Sequence, residues 1–137
     1  MSDPSVRVTA GPDERSGRHG GRIAGVVLDA PDIRGLSQFY ASMLGLTIKS
    51  EDAEWINIGP ADRDEVTLSF QHAADHQPPR WPDPAYPQQF HLDIVINGTI
   101  EDAEREVVAL GATKLGGERS FRVYADPAGH PFCLCWD

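Results

Sequence analysis

Basic residues are scarce in this sequence. Its 137 residues include 12 Lys and Arg against 21 Asp and Glu, so the formal net charge is −9. A protein that binds nucleic acid needs a basic face to meet the phosphates, and this composition argues against such a partner. The acidic excess is compatible with a cationic partner, although solubility alone accounts for it.

Long hydrophobic runs are also missing, and there are only two cysteines, Cys133 and Cys135. No run approaches the length that a membrane-spanning helix needs, and the N-terminus lacks the apolar core of a signal peptide. The two cysteines lie two residues apart on one predicted strand, a spacing poorly suited to a disulfide. We therefore expect a cytoplasmic protein with free thiols and no membrane partner.

The chain contains an internal repeat. Residues Val26–Leu46 and Leu92–Ala112 share the pattern of an apolar strand, a short helix, a Leu-Gly pair and a further strand. Three strand-like runs follow each helix, so the chain has two βαβββ modules. We predict an α+β fold in which these modules form a curved eight-stranded sheet or barrel with a cleft.

The repeat also predicts the domain organisation. Residues 1–21 form a flexible N-terminal arm, and 22–137 form a single domain. Its modules, 22–71 and 90–136, are joined by the proline-rich linker 72–89. Within that linker, Trp81 and Tyr86 either pin the segment to the body of the domain or form one wall of a pocket mouth.

Turn and capping residues mark both helices. Asp32 is predicted to cap the first helix and Gly45 to end it. Thr99 is predicted to cap the second helix, with Asp102 completing a capping box and Gly111 ending the helix.

Strand alternation predicts which side chains face away from the helices. His91 and Asp93 do so in the strand 90–96, and Cys133 and Cys135 do so in 131–136, where Trp136 takes the helix side. The strand 65–71 adds three more polar side chains, Thr67, Ser69 and Gln71. Because a closed apolar core would leave these polar groups without hydrogen-bond partners, we predict a wet, ligand-accessible cleft. Parity does not decide which face Arg122 and Tyr124 take.

These features resemble the vicinal oxygen chelate superfamily of glyoxalases, bleomycin-resistance proteins and extradiol dioxygenases. The resemblance spans 23–136 and rests on the order and spacing of several short motifs. They are Asp32, Phe39-Tyr40 and Leu44-Gly45 in the first module, and His91-Leu-Asp-Ile-Val-Ile, Leu110-Gly111-Ala112 and Asp126-Pro-Ala-Gly-His-Pro-Phe in the second. It implies paired βαβββ modules around a U-shaped cleft and a homodimer.

The resemblance also implies four metal-ligand positions, which fall on Gly25, Gln71, His91 and Cys133. Only His91 is an ordinary ligand at its position, since glycine has no side chain and a thiol replaces the usual carboxylate. Hard divalent ions require imidazole and charge-balancing oxygen donors. We therefore expect no metal or other cofactor; any ion that did bind would use His91, Cys133 and Gln71.

The sequence leaves two functions open. In the first, the chain is a lyase, isomerase or hydrolase in which His91 acts as general acid and base. Asp93 then orients His91 or carries a second proton, with a water or the substrate bridging the two. Cys133 is then a nucleophile or an inert buried thiol. In the second, the chain sequesters a small molecule, as antibiotic-resistance proteins do, with Trp55, Trp81 and Tyr86 near the cleft.

Overall fold

The computed structural model of this protein describes residues 20–136. The predicted arm, residues 1–21, falls almost entirely outside this range. The chain divides into two compact units, with the boundary between Ala74 and Asp75. This boundary lies within the predicted linker. Neither described helix is long and apolar enough to cross a membrane.

The first unit is a βαβββ module. Its elements are β1 (Val26–Ala30), α1 (Ile33–Leu44), β2 (Thr47–Glu51), β3 (Trp55–Gly59) and β4 (Leu68–His72). The strand order across the sheet is β1-β4-β3-β2, with β1 parallel to β4 and the other pairs antiparallel.

The second unit repeats this arrangement. Its elements are β5 (Leu92–Val95), α2 (Ile100–Ala109), β6 (Thr113–Gly117), β7 (Phe121–Ala125) and β8 (Pro131–Cys135). The order is β5-β8-β7-β6, with β5 parallel to β8. The predicted α+β class and both βαβββ modules are confirmed, and the eight strands form two mixed sheets of four.

The helix ends follow local chemistry. Asp32 Oδ1 accepts a hydrogen bond from the Gly35 backbone N–H at 3.0 Å, which satisfies a donor that the first turn of α1 leaves open. Gly45 ends the helix with φ of 67°, a left-handed conformation that glycine adopts without a Cβ penalty. In α2, Thr99 Oγ1 accepts from the Asp102 N–H at 3.2 Å. The Asp102 carboxylate contacts Arg105, so only half of the predicted capping box is seen.

Each helix packs against its own sheet. Tyr40 on α1 is fully buried and stacks on Phe70 of β4, with ring centroids 6.0 Å apart. In the second unit, Tyr124 and Phe132 are both fully buried, and their ring centroids are 5.4 Å apart. These apolar layers fix the opposite face of each sheet as the place where polar side chains collect.

Several strands are shorter than predicted. The first strand begins at Val26 and β5 begins at Leu92, so Gly25 and His91 each lie immediately before the first strand of their module. They occupy matching positions, as the repeat predicts. The strand predicted at 65–71 runs instead from Leu68 to His72. His72 therefore belongs to β4 and not to the predicted linker 72–89. Before this strand, the Gly59 backbone passes so close to the Glu65 carbonyl that a Cβ at position 59 would clash with it.

Candidate functional site

A cavity of about 430 Å³ lies in the second unit. This volume is within the range of small-molecule sites. No Lys or Arg of the described chain lines it, and three of its lining residues are Trp or Phe. Its lining residues are Trp81, Gln88, His91, Asp93, Ser120, Phe121, Val123, Cys133, Cys135 and Trp136.

Strand register brings the polar lining residues together. Asp93 on β5 pairs with Cys133 on β8, and Cys133 pairs on its other side with Val123 on β7. Paired residues in a sheet project to the same face, so these side chains all point away from α2. Ligand atoms of His91, Asp93 and Cys133 lie within 4.8 Å of one another. Three of the predicted cleft residues therefore form one cluster.

His91 contacts Asp93 directly. The Nε2 atom of His91 lies 3.0 Å from Asp93 Oδ1, so the predicted bridging water or substrate between them is wrong. Residues two apart on a strand are separated by about 7 Å along the backbone. Here both side chains turn toward each other and close that gap. A neutral imidazole that donates from Nε2 keeps Nδ1 as its acceptor, and Nδ1 is the atom able to take a proton from a ligand.

The Cys133 thiol is poorly suited to nucleophilic attack. Burial raises the pKa of Cys133 to about 11, and the negative charge of Asp93 adds to the effect. Burial and Asp93 also raise the pKa of Cys135. Both cysteines are free, as predicted. Because the thiolate is the reactive form, this environment favours the inert-thiol interpretation of Cys133 near neutral pH.

This raised pKa makes stability depend on pH. The folded protein holds the Cys133 proton more tightly than the unfolded chain, whose thiol titrates near ~8.5. The stability that the protonated Cys133 thiol contributes is fully present below the pKa of the thiol in the unfolded chain. It is lost as the pH rises through the pKa of the folded protein, which is about 11. We expect the free energy of unfolding, measured with urea at a series of pH values, to fall more steeply in that window for the wild type than for Cys133→Ser. Equal slopes would contradict the assigned environment.

The two linker aromatics have different surroundings. Trp81 is half-buried and lines the cavity, and its ring lies so close to Gly116 that a Cβ there would come within 3.1 Å. Trp81 therefore both pins the linker and walls the cavity. Tyr86 is 46 % exposed and is absent from the cavity lining, and the Arg80 guanidinium lies 4.2 Å from its ring centroid.

Trp136 was predicted on the helix side, and it has contacts on both sides. It lines the cavity, and the guanidinium carbon of Arg122 lies 5.9 Å from its ring centroid. The strand β8 ends at Cys135, and beyond it the strict alternation of faces no longer applies. Phe121 was not predicted to line the site, although the pairing of β7 with β8 places it opposite Cys135. The sequence predicts the face of Phe121 once the register of β7 and β8 is known.

Arg122 and Tyr124 lie on the helix side. Glu104 Oε1 on α2 accepts hydrogen bonds from Tyr124 Oη at 2.8 Å and from Arg122 Nη1 at 3.0 Å. The bond from Tyr124 is the main cause of a lowered Glu104 pKa, and burial is the main cause of a raised Tyr124 pKa. Arg122 is thus committed to α2, which removes it as an anchor for a carboxylate ligand in the cavity.

The predicted cleft residues of the first module lie in the first unit. Trp55 and Ser69 are buried, and both donate to Asn57 Oδ1, at 2.7 Å from Trp55 Nε1 and 2.6 Å from Ser69 Oγ. The prediction of a wet cleft assumed that a closed core would leave Ser69 without a hydrogen-bond partner. Asn57 supplies that partner. Thr67 and Gln71 are exposed. It remains a prediction that these first-unit residues line one cleft together with His91, Asp93 and Cys133.

The comparisons with known proteins match this architecture. The family model described as "Glyoxalase-like domain" matches residues 25–135. The chain belongs to the glyoxalase-like domain family. The resemblance to the vicinal oxygen chelate superfamily is thereby confirmed. None of the curated proteins is similar enough to match.

Solved structures share the fold at low sequence identity. A possible glyoxalase from Bacillus cereus is 14% identical with a TM-score of 0.63, over 84% of this chain and 98% of that one. A glyoxalase/bleomycin resistance protein/dioxygenase family enzyme from Burkholderia phytofirmans PsJN is 14% identical with a TM-score of 0.64, over 81% and 94%. A glyoxalase-related enzyme from Fulvimarina pelagi is 16% identical with a TM-score of 0.62, over 85% and 88%. These likenesses show the fold.

The metal set implied by the superfamily does not fit this glyoxalase-like chain. The position on Gly25 offers no donor, and the position on Gln71 offers only a neutral amide. Cys133 holds its proton near neutral pH, because its pKa is raised to about 11. Hard divalent ions need charged oxygen donors at such positions, and these residues do not provide them.

Proposed function

We propose that this glyoxalase-like protein binds a small organic molecule in the second-unit cavity, where His91 exchanges a proton with it. The observation that carries the proposal is the 3.0 Å contact between His91 Nε2 and Asp93 Oδ1 at the wall of a cavity with aromatic sides. The contact orients the imidazole, with Nε2 directed at Asp93 Oδ1. Nδ1 then serves as the proton acceptor and later as the donor.

This arrangement supports lyase or isomerase chemistry that needs no hard metal ion. An isomerase moves a proton from one atom of its substrate to another, and a lyase removes or adds a proton as a second bond breaks or forms. An imidazole suits both directions of transfer. Trp81, Phe121 and Trp136 would hold the apolar part of the substrate. A homodimer in the cytoplasm, which the sequence led us to expect, is also part of the proposal.

Sequestration of a ligand without turnover is the second candidate. It is favoured by the protonated, buried state of Cys133, which leaves the cavity without an activated nucleophile. Aromatic walls and an exposed carboxylate, Asp93, would suit a cationic antibiotic. In this case His91 and Asp93 act only as hydrogen-bonding partners of the ligand.

Intrinsic fluorescence tests the binding site. The three tryptophans are Trp55, Trp81 and Trp136, and only the last two line the second-unit cavity. We expect thiohemiacetals, keto acids or cationic antibiotics that bind there to change the emission of the wild type and of Trp55→Phe. The change should be reduced in Trp81→Phe and in Trp136→Phe. A response that disappears only in Trp55→Phe would place the ligand elsewhere.

Turnover separates the two candidates. Conversion of a bound thiohemiacetal or keto acid, followed by proton exchange into solvent, supports the enzyme. Stoichiometric binding of a cationic antibiotic without conversion supports sequestration.

A further inference from the structure

Trp136 is part of the cavity wall although it lies beyond the last strand, β8. Its backbone N–H donates a hydrogen bond to the Ser120 carbonyl at 3.0 Å. That bond fixes the main chain but not the two side-chain torsions that orient the indole ring. The orientation of the ring therefore depends on the side chains around it.

Arg122 approaches the same ring from outside the cavity. Its guanidinium carbon lies 5.9 Å from the centroid of the Trp136 ring, and Arg122 is not among the residues that line the cavity. A guanidinium within about 6 Å of an aromatic centroid is attracted to the face of the ring, and Trp attracts it more strongly than Tyr or Phe does. Arg122 can therefore restrain Trp136 without touching a ligand.

Helix α2 and strand β6 hold Arg122 in place. Its Nη1 atom lies 3.0 Å from Glu104 Oε1, and its Nη2 atom lies 4.0 Å from Glu101 Oε2. The stem of the side chain passes over Gly117, where a Cβ would come within 3.0 Å of Arg122 Cγ. Because partners on two elements already fix the planar guanidinium, it loses little further freedom when it contacts the ring.

Glu104 is itself anchored in the core. Its Oε1 atom accepts a hydrogen bond at 2.8 Å from the hydroxyl of Tyr124, which is fully buried. Lys114 Nζ lies 3.3 Å from the same oxygen. A continuous set of contacts therefore runs from the packed core through Glu104 and Arg122 to Trp136.

We propose that Arg122, held by Glu104, is a positioning residue of the second-unit cavity: it sets the orientation of the Trp136 ring and with it the shape of the apolar wall. That a ligand packs against this wall rests on the proposed function. A ring held in one orientation gives the ligand a preformed surface, so less freedom is lost on binding. The effect of Arg122 on binding is indirect, since neither Arg122 nor Glu104 lines the cavity.

NMR spectra of the indole N–H groups of the full-length chain test this arrangement without any ligand. The chain has three tryptophans, and the signal that is missing in Trp136→Phe identifies that of Trp136. We expect the Trp136 signal to move in Arg122→Met, whereas the signal of Trp55, which lies in the first unit, stays in place. An unmoved Trp136 signal overturns the proposal.

Glu104→Gln tests whether the carboxylate acts through Arg122. This variant keeps the size of the side chain and the charge of Arg122, so a moved Trp136 signal reports a displaced guanidinium. The same substitution made in Arg122→Met should cause no further movement. A further movement in the double variant, or an unmoved signal in Glu104→Gln, overturns the contribution of Glu104. Glu104→Gln also keeps the test decisive if Arg122→Met fails to fold.

Lys114→Met is the matched control. It removes another cation from the same carboxylate, near the opposite end of β6 from Gly117. We expect the Trp136 signal to stay in place in this variant. A movement equal to that in Arg122→Met would show a general effect of charge and would overturn the positioning role.

Binding of fluorobenzene, followed by fluorine NMR, measures the consequence for the cavity. This probe is uncharged, so the loss of the Arg122 charge acts on it chiefly through the wall. We expect Arg122→Met to weaken its binding about two- to fivefold, as for loss of a partly exposed cation–π contact, and Lys114→Met to leave it unchanged. Equal affinity in the wild type and Arg122→Met, or no binding to the wild type, overturns the role of Arg122 in the cavity.

The two proposals fail in different ways. The indole signals need no ligand, so failure of the proposed function leaves them unchanged. An unmoved Trp136 signal in turn leaves the fluorescence titrations with organic ligands unaffected.

Discussion

Replacing His91 by alanine should abolish ligand binding, or should lower turnover about 10²- to 10⁴-fold if the protein is an enzyme. The reason is that His91 supplies the proton acceptor at the cavity wall, and its partner Asp93 cannot replace an imidazole. The cost in folding free energy should stay under about 1 kcal/mol, because His91 and Asp93 are partly exposed and their contact lies outside the packed core. Fluorescence titration, a turnover assay and urea denaturation of the same preparation measure the three quantities.

His72 provides the control for this substitution. Its side chain is 37% exposed, the same as that of His91, and it also faces a carboxylate, with Nδ1 3.6 Å from Glu54 Oε2. It lies in the first unit and does not line the second-unit cavity. We expect His72→Ala to leave binding and turnover unchanged. If His91→Ala instead destabilises the fold by several kcal/mol, His91 is structural and the proposed function fails.

Replacing Phe132 by alanine should lower the free energy of unfolding by about 3 to 5 kcal/mol. Phe132 is fully buried and stacks on Tyr124, with the ring planes 22° apart. Removing the ring loses its burial and leaves a cavity beneath β7 and β8 that the close-packed core can fill only in part. Urea denaturation followed by far-ultraviolet circular dichroism measures the change.

Phe90→Ala is the matched substitution for this test. Phe90 belongs to the same unit and has the same side chain, but it is 50% exposed. We expect a loss of under about 1 kcal/mol, as for surface substitutions away from special contacts. Similar losses for both variants would show that Phe132 does not belong to the core.

Local signals in the sequence were sufficient for the helices and for the module architecture. Asp32 and Gly45 act within one or two turns of the backbone, so their roles can be read without knowing the rest of the fold. The repeat then identified both modules, because each half carries the same order of apolar runs and Leu-Gly pairs. The strand ends were less accurate, since Leu68 and Leu92 begin strands only where a neighbouring strand is available for pairing.

Alternation located the polar cluster but not its geometry. That Asp93 and Cys133 share one face follows from strand parity and was predicted, whereas their direct pairing depends on the strand register. The direct contact of His91 with Asp93 was not, because parity assigns a face and says nothing about side-chain rotation. Trp136 lies beyond the end of β8, so strand alternation does not assign its ring to one face.

The sequence by itself determined the two βαβββ modules, the helix ends and the common face of His91, Asp93 and Cys133. These depend on periodicity and on contacts between residues close in the chain. Only the tertiary structure decided that Arg122 and Tyr124 bond Glu104, that Asn57 satisfies Ser69, and that Trp136 walls the cavity. Each of these depends on side chains from different elements meeting in space. The free energy of such a contact depends on distance and burial, which the one-dimensional pattern does not contain.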